Sequence, residues 1–469
     1  MHIVVIGMGY VGIPCAALFA DVPGFRVTGV QRRSKRSGWK IEHLNAGKSP
    51  FEGDEPGLAE LIQRVVLEKR TFHVTDDIAV CRDADAILLD VQTPVDGNHV
   101  PLYESLREVA AGAGKHMSRG TLVVIESTVA PGTTQHVVLP ILERESGKTA
   151  GQGFCLAFSY ERVMPGKLLE FLIHYPRVVG GIDAESTRRA VELYRHIVEA
   201  EITPTDCLTA ELAKTAENTY RDVNIAFANE MALVSESLGV DVFEVRDLIN
   251  ARPDRHMHLP GAGVGGHCLP KDPWLLNHGI NCYGYKAVKS ELLAVARRIN
   301  DHMPQHMAEL VEEALAAAGT PTAGSRIAVL GIAYLENSDD TRNTPALPLI
   351  KALLDRGATV IAHDPYVRQA DFAGLDVGPD VLLTSALSEA LQGADCAVIV
   401  TKHDEYLRTE LLQAAQGMRT RVLVDGRGCI DEQVCAEAGI SYLGLGRRGR
   451  MAARALSTVH TVHTEHTEH

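Results

Sequence analysis

The sequence lacks any run of the ~18–20 apolar residues that a membrane-spanning helix requires, so no membrane partner is expected. It lacks an excess of positive charge. The formal net charge is −14 over 469 residues, which argues against a broad nucleic-acid surface and leaves any anionic ligand to a local basic pocket. Its nine cysteines contain no CxxC pair and no zinc-like spacing, so no metal site and no disulfide framework are expected. Scattered thiols of this kind fit a reducing cytoplasm. The opening residues MHIVVIGMGYVG lack the charged n-region of a signal peptide and run straight into a glycine motif that a mature fold would use.

What is present is ordinary for a soluble protein, with 45% hydrophobic and 23% charged residues. The length suits two to four domains. Over residues 1–205, short β-branched runs alternate with helical stretches. Ile3–Ile6, Arg26–Val30, Ala86–Val91, Leu122–Ile125 and Arg177–Gly180 read as buried strands of a parallel sheet with helices on both faces. Over 206–318 the character changes. ELAKTAENTYRDVNIAFANEMALVSESLG has no proline, and no glycine before Gly239, so it predicts one long helix; a second is predicted over about 290–318. After the linker-like GTPTAGS the alternation restarts over 325–446, with strands at Arg326–Leu330, Thr359–His363, Ala397–Thr401 and Val422–Val424. The fold class is therefore α/β, with two Rossmann-like doubly wound domains joined by a helical one. Residues 447–469 end in a histidine-containing repeat and read as a disordered tail.

The first strand runs into Gly7-Met8-Gly9-Tyr10-Val11-Gly12, followed by the small residues Cys15, Ala16 and Ala17. Gly7 permits the tight turn, Gly9 lets a pyrophosphate approach the backbone, and Gly12 allows close helix–strand packing, so a dinucleotide is expected here. About 20 residues on, NAD sites carry an acid for the ribose hydroxyls; this chain reads Gln31-Arg32-Arg33 instead. Gln31 can still bond a hydroxyl, and the arginines could hold a 2′-phosphate or be solvated surface charges. NAD is the expected cofactor, with NADP open. Thr93 and Thr128, in loops after two of the predicted strands, join the cofactor candidates, and Thr128 could equally orient a water.

Three further segments carry possible chemistry. Glu161, in YERVMPGK, is a candidate general base. Lys214 and Asn218 are four apart on the long helix and share a face. An ammonium beside an amide can stabilise an oxyanion, although a solvated lysine is the ordinary alternative. In GAGVGGHCLPKDPW, four glycines fall within six positions before His267-Cys268, and Pro270 and Pro273 stiffen the exit from the loop. A dehydrogenase that also positions a thiol can oxidise twice. The thiolate captures the aldehyde of the first oxidation, the thiohemiacetal gives up a second hydride, and water releases a carboxylate from the thioester. Either His267 or Lys271 could favour the Cys268 thiolate.

GMGYVG, STVAPGTT, ERVMPGK, ELAKTAENTYRDVNIAFANE, GVGGHCLPKDP and DDTRNTP occur in that order over residues 1 to about 446. In this the chain resembles the UDP-glucose/GDP-mannose dehydrogenase family. The resemblance implies an NAD-binding domain, a central helical domain through which a homodimer forms, and a C-terminal domain for the nucleotide sugar. It also implies two-step oxidation of a sugar C6 alcohol to a uronate with two cofactor molecules per turnover. It would make Cys268 the covalent nucleophile and give the oxyanion to Lys214 and Asn218. Glu161 would help activate water, supported by Asp272 and Thr128. Gly265 and Gly266 would let the loop approach the sugar, with Arg162, Val163 and Arg427 as further substrate contacts. Arg252 or Arg255 would serve the nucleotide sugar of a neighbouring subunit. ERVMPGK with GGHCLPKDPW is similar to the branch acting on UDP-N-acetylhexosamines such as UDP-N-acetylmannosamine or UDP-N-acetylglucosamine. UDP-glucose and GDP-mannose remain alternatives, as do a single-step β-hydroxyacid dehydrogenase and a homologue that binds nucleotides without turnover. Two positions depart from the family pattern: Tyr160 stands where proline is usual, and Tyr334-Leu335 where a phenylalanine–lysine pair is usual.

Overall fold

Aliphatic runs of four or five residues build the first sheet, and their alternation decides which way each side chain faces. In the computed structural model, which describes residues 1–35, 37–51, 55–286 and 288–447, eight strands take the order β3-β2-β1-β4-β5-β6-β7-β8. They are β1 (His2–Ile6), β2 (Arg26–Val30), β3 (Phe72–Thr75), β4 (Ala86–Leu89), β5 (Leu122–Ile125), β6 (Cys155–Phe158), β7 (Arg177–Gly181) and β8 (Ile202–Asp206). Ile3, Val5, Leu88 and Val124 face one core; Val4, Ile6, Ile87 and Val123 face the other. Both faces are covered, which is why the strands read as continuous apolar runs. Ile3 lies opposite Val27 on one side and Ala86 on the other, so the chain reverses its direction of travel across the sheet between β1 and β4. Ligands of open α/β sheets bind at the carboxyl ends of strands at such a point.

The expectation of a uniformly parallel sheet needs one correction. β7 runs antiparallel to β6, with Phe158 opposite Gly180. Residue patterning carries no strand direction, and burial on both faces is satisfied either way. The reversal starts β7 at the carboxyl edge of β6, where the Arg177 Nε donates to Ser159 Oγ at 2.8 Å. β8 then pairs parallel to β7. Its sequence, ITPTD, is half exposed and contains Pro204, as an edge strand tolerates.

The chain divides into two compact units. One is Met1–Asn218 with Lys271–Lys289; the other is Thr219–Pro270 with the chain from Ser290 onward. The second unit has a six-stranded, wholly parallel sheet in the order β11-β10-β9-β12-β13-β14. Its strands are β9 (Arg326–Leu330), β10 (Thr359–His363), β11 (Leu382–Thr384), β12 (Cys396–Ile399), β13 (Val422–Asp425) and β14 (Ser441–Gly444). The predicted long helix spans Cys207–Leu238, and the second predicted helix spans Glu291–Ala317. Val242–Asn250 and Asp272–Tyr283 are helical between them. In the second unit the two long helices are joined by a buried polar chain. Arg297 donates to Asp222 at 2.6 Å, Asn300 to Asp222 at 2.8 Å, and Asn229 to Asn300 at 2.8 Å. The Gly261 N–H donates to Asn229 at 2.9 Å and so hangs the glycine-rich loop on this network. The histidine repeat of the tail lies outside the described residues.

Candidate active site

The glycine motif has the contacts its sequence implies. Gly7 has φ +115°, and a Cβ there would lie 1.8 Å from the Asp90 carbonyl oxygen; a Cβ on Gly12 would lie 2.0 Å from the Gly7 carbonyl oxygen. Gly9 differs, since a Cβ there would meet nothing within 4 Å. That open approach to its backbone suits a pyrophosphate at the start of the helix Gly12–Asp21, so the residues fit a dinucleotide. Val11 stands at the N-cap position with no side-chain hydrogen bond to the helix, and Tyr10 stacks on Phe51 at 4.6 Å. The Gln31 side chain accepts from the Met8 N–H at 3.2 Å and donates to Ser37 Oγ at 3.0 Å. Gln31 thus braces the motif. Arg33 is engaged by Glu42 at 2.6 Å and Asp76 at 2.9 Å, and exposed Arg32 lies 3.6 Å from Glu108. Thr93 Oγ1 donates to the Thr128 carbonyl oxygen at 2.6 Å, tying together the loops after β4 and β5.

Beneath the motif is a buried ionic cluster that pattern reading did not find. Glu126 is paired with Arg177 and accepts from the Tyr194 hydroxyl at 2.8 Å, while the Arg177 guanidinium lies 3.8 Å from the centre of the Tyr194 ring. Burial, then the charges of Glu126 and Glu161, push the Asp90 carboxyl well above its ordinary range. Isolated acids at strand ends carry no signal of such pairing, since the partner Arg177 lies on a strand whose reversal could not be read.

On the long helix, Lys214 and Asn218 do face the same way, and Lys214 is not a solvated surface lysine. It is 4% exposed, and its Nζ donates to the Glu161 carbonyl oxygen at 2.8 Å. One turn on, the Asn218 amide donates to Asp272 Oδ2 at 2.5 Å. Asp272 is fully buried at the first turn of the helix Asp272–Tyr283, and its other oxygen accepts from Lys271 at 2.5 Å. The first unit therefore brings Glu161, Lys214, Asn218 and Asp272 together, with Lys271 as a partner whose pairing the sequence did not disclose. The Glu161 carboxylate accepts from the Val163 N–H at 2.5 Å. Arg162 is held by Glu217 at 2.9 Å and by the Pro176 carbonyl at 2.6 Å. Glu211, one turn before Lys214, accepts from the Gly132 and Thr134 N–H groups at 2.6 and 2.7 Å, fixing the STVAPGTT turn on this helix.

The second unit holds the thiol loop. Gly266 has φ +90°, its N–H donates to the Arg342 carbonyl at 2.8 Å, and its carbonyl accepts from Asn343 at 3.0 Å. Tyr334 closes over it, so a Cβ on Gly265 or Gly266 would sit 2.5 or 2.8 Å from that side chain. DDTRNTP therefore clamps the loop. Arg427 lies against Gly261 and pairs with Glu336 at 3.3 Å. Arg252 and Arg255 are exposed and both bind Asp254, at 2.6 and 2.7 Å. All nine cysteines are free thiols. Burial pushes Cys81 up to about 12, raises Cys15, Cys207 and Cys396 likewise, and with Asp425 raises Cys429. Cys268 is half-buried, in the clamped loop, and Cys282 is exposed on a helix.

Sequence profiles of the UDP-glucose/GDP-mannose dehydrogenase family match in three blocks: the NAD binding domain over residues 1–198, the central domain over 208–302 and the UDP binding domain over 328–432. The UDP-N-acetyl-D-mannosamine dehydrogenase of Pyrococcus horikoshii is 37% identical over 95% of this chain and 99% of its own length. A solved structure of UDP-D-ManNAc dehydrogenase from that organism superposes with a TM-score of 0.85 at the same coverage. An NDP-N-acetyl-D-galactosaminuronic acid dehydrogenase from Methanosarcina mazei is 41% identical, covering 96% of this chain and 95% of that one, with a TM-score of 0.82. The glycine cradle, the Lys214–Asn218 face and the clamped thiol loop are thus the parts of a chain that belongs to the UDP-glucose/GDP-mannose dehydrogenase family.

Proposed function

We propose that this protein is a nucleotide-sugar 6-dehydrogenase that oxidises the C6 alcohol of a UDP-N-acetylhexosamine, UDP-N-acetylmannosamine first, to the uronate. The observation that carries the reading is the linked set Glu161–Lys214 and Asn218–Asp272 in a chain whose half-buried thiol lies four residues before Asp272. The Methanosarcina relative favours a second sugar, the galacto-configured epimer, with the same chemistry.

When bound, the nicotinamide supplies a hydride acceptor. As a first hydride leaves C6, the hydroxyl gives its proton to the water held by Asp272 and Thr128, and Lys214 and Asn218 donate to the C6 oxygen as negative charge gathers on it. The Cys268 thiolate adds to the aldehyde carbon, and the carbonyl electron pair passes to that same oxygen. Loss of a second hydride leaves a thioester. Asp272 and Thr128 orient a water, Glu161 takes its proton, and the carbon–sulfur bond breaks to release carboxylate and thiolate. Two hydrides leave the sugar for each water added. Gly265 and Gly266 admit the sugar, while Arg162, Val163 and Arg427 contact the substrate. Arg252 or Arg255 serves the nucleotide sugar of a neighbouring subunit.

NAD is the proposed cofactor over NADP. The carboxylates of Glu42, Asp76 and Glu108 beside Arg33 and Arg32 support this, because they would repel a 2′-phosphate. A homodimer through the central helical region is supported by the exposed apolar side chains of Tyr220, Phe227 and Val234 on its long helix. Nine free thiols support a reducing, cytoplasmic setting, and among the described residues no helix is long and apolar enough to cross a membrane.

The test is a panel of UDP- and GDP-sugars assayed with NAD and with NADP. The expected result is two NAD reduced per N-acetylhexosamine consumed, with slower turnover on UDP-glucose. A ratio of one contradicts the thioester route, and no reduction contradicts the enzyme reading.

A further inference from the structure

Tyr160, the residue standing where the family pattern has proline, is 2% exposed and has two cations over its ring. The Lys214 Nζ and the Arg162 guanidinium are each 5.3 Å from the centre of its ring. Its hydroxyl accepts from Arg162 Nη2 at 3.1 Å, and Arg162 in turn grips Glu217, which neighbours Asn218 on the long helix. Lys214 also holds the Glu161 carbonyl at 2.8 Å. Ring, guanidinium, carboxylate and ammonium thus close a circuit between the 160–163 turn and the helix face.

We propose that Tyr160 is a positioning residue for the oxidation: its ring face fixes the Lys214 ammonium where the C6 oxygen is held. The inference rests on the functional reading above. A desolvated ammonium near an aromatic face is attracted by the ring quadrupole, and a lysine chain left without that face has several rotamers to choose from. Proline at this position offers neither ring nor hydroxyl. Tyrosine therefore replaces backbone stiffness with a side-chain brace.

Tyr160→Leu is expected to lower kcat about tenfold while KM changes less than about twofold, and Tyr160→Phe to recover most of kcat because the ring remains. A leucine variant with normal kcat, or a phenylalanine variant as impaired as leucine, overturns the inference. Should the leucine variant fail to fold, phenylalanines carrying one, two or three ring fluorines at 160 keep the volume and weaken the ring face stepwise. Falling kcat along that series at constant KM supports the role, and a flat series overturns it. Absence of turnover by the unaltered protein on every UDP-sugar overturns the functional reading and this inference together, whereas normal turnover with a flat series overturns the inference alone.

Discussion

Glu211 shows how a single carboxyl can couple a site to pH. It is buried with three donors on it, the Gly132 and Thr134 N–H groups and the Thr134 hydroxyl. Burial outweighs those donors and carries it from 4.5 up to about 7. The folded state therefore keeps a proton that the unfolded chain has already released above its own lower value. The contribution is full at acid pH and is lost as pH rises from about 4.5 through about 7, on the order of 3 kcal/mol in all. Glu211→Gln removes the titration. The variant's stability relative to the wild type should rise across that window, read as unfolding midpoints at several pH values; a pH-independent difference contradicts the assignment. Legibility at this scale followed chemistry that needs only the backbone. The turn at Gly7 and the close packing at Gly12 could be read from spacing because both are local demands. Gln31, Lys214 and Tyr160 could be singled out but not understood, since their meaning lies in Met8, Glu161 and Arg162, partners brought by the fold.

The helix Cys207–Leu238 carries both of the proposed tasks, oxyanion support and dimer contact, on one element. Lys214 and Asn218 sit near its start. Further on, Tyr220, Phe227 and Val234 recur every seven residues, 71%, 49% and 42% exposed. Seven residues are close to two turns, so these side chains form one apolar stripe, the pattern by which helices pair. The proposed second copy of the chain covers it. Phe227→Asp places a charge in that stripe and should halve the mass seen by sedimentation at micromolar concentration. A monomeric wild type, or a variant of unchanged mass, contradicts the dimer. The length of this helix was readable from the absence of proline and glycine, and its apolar stripe was masked by the many alanines around it. Among strands the opposite held. β3, β8, β11 and β14 escaped notice at the edges of the two sheets, where little burial disciplines the sequence, and β6 escaped because its buried run, CLAF, is only four residues long.

At the scale of the molecule, each unit repeats one plan. Six strands stand in the order 3-2-1-4-5-6, and the order turns between the first and the fourth, the place where open α/β sheets bind ligands. Four of the six strands were legible in each unit, because strands buried on both faces must be apolar throughout. The reversal of β7 was not, and with it went the Arg177–Glu126 pair beneath the glycine motif. Nor could the sequence foretell that DDTRNTP, some 70 residues downstream, clamps the thiol loop through Arg342 and Asn343, with Tyr334 just before it closing over the glycines. The proposed mechanism turns on the sulfur of Cys268 holding the half-oxidised sugar between two hydride losses. The direct measurement is mass spectrometry of the peptide bearing Cys268 after acid quench of the protein turning over UDP-N-acetylmannosamine with NAD. The mechanism predicts the mass of the acylating nucleotide sugar on Cys268, and no adduct or uronate from Cys268→Ser; uronate formed at the wild-type rate by that variant, with no adduct in the wild type, would contradict it.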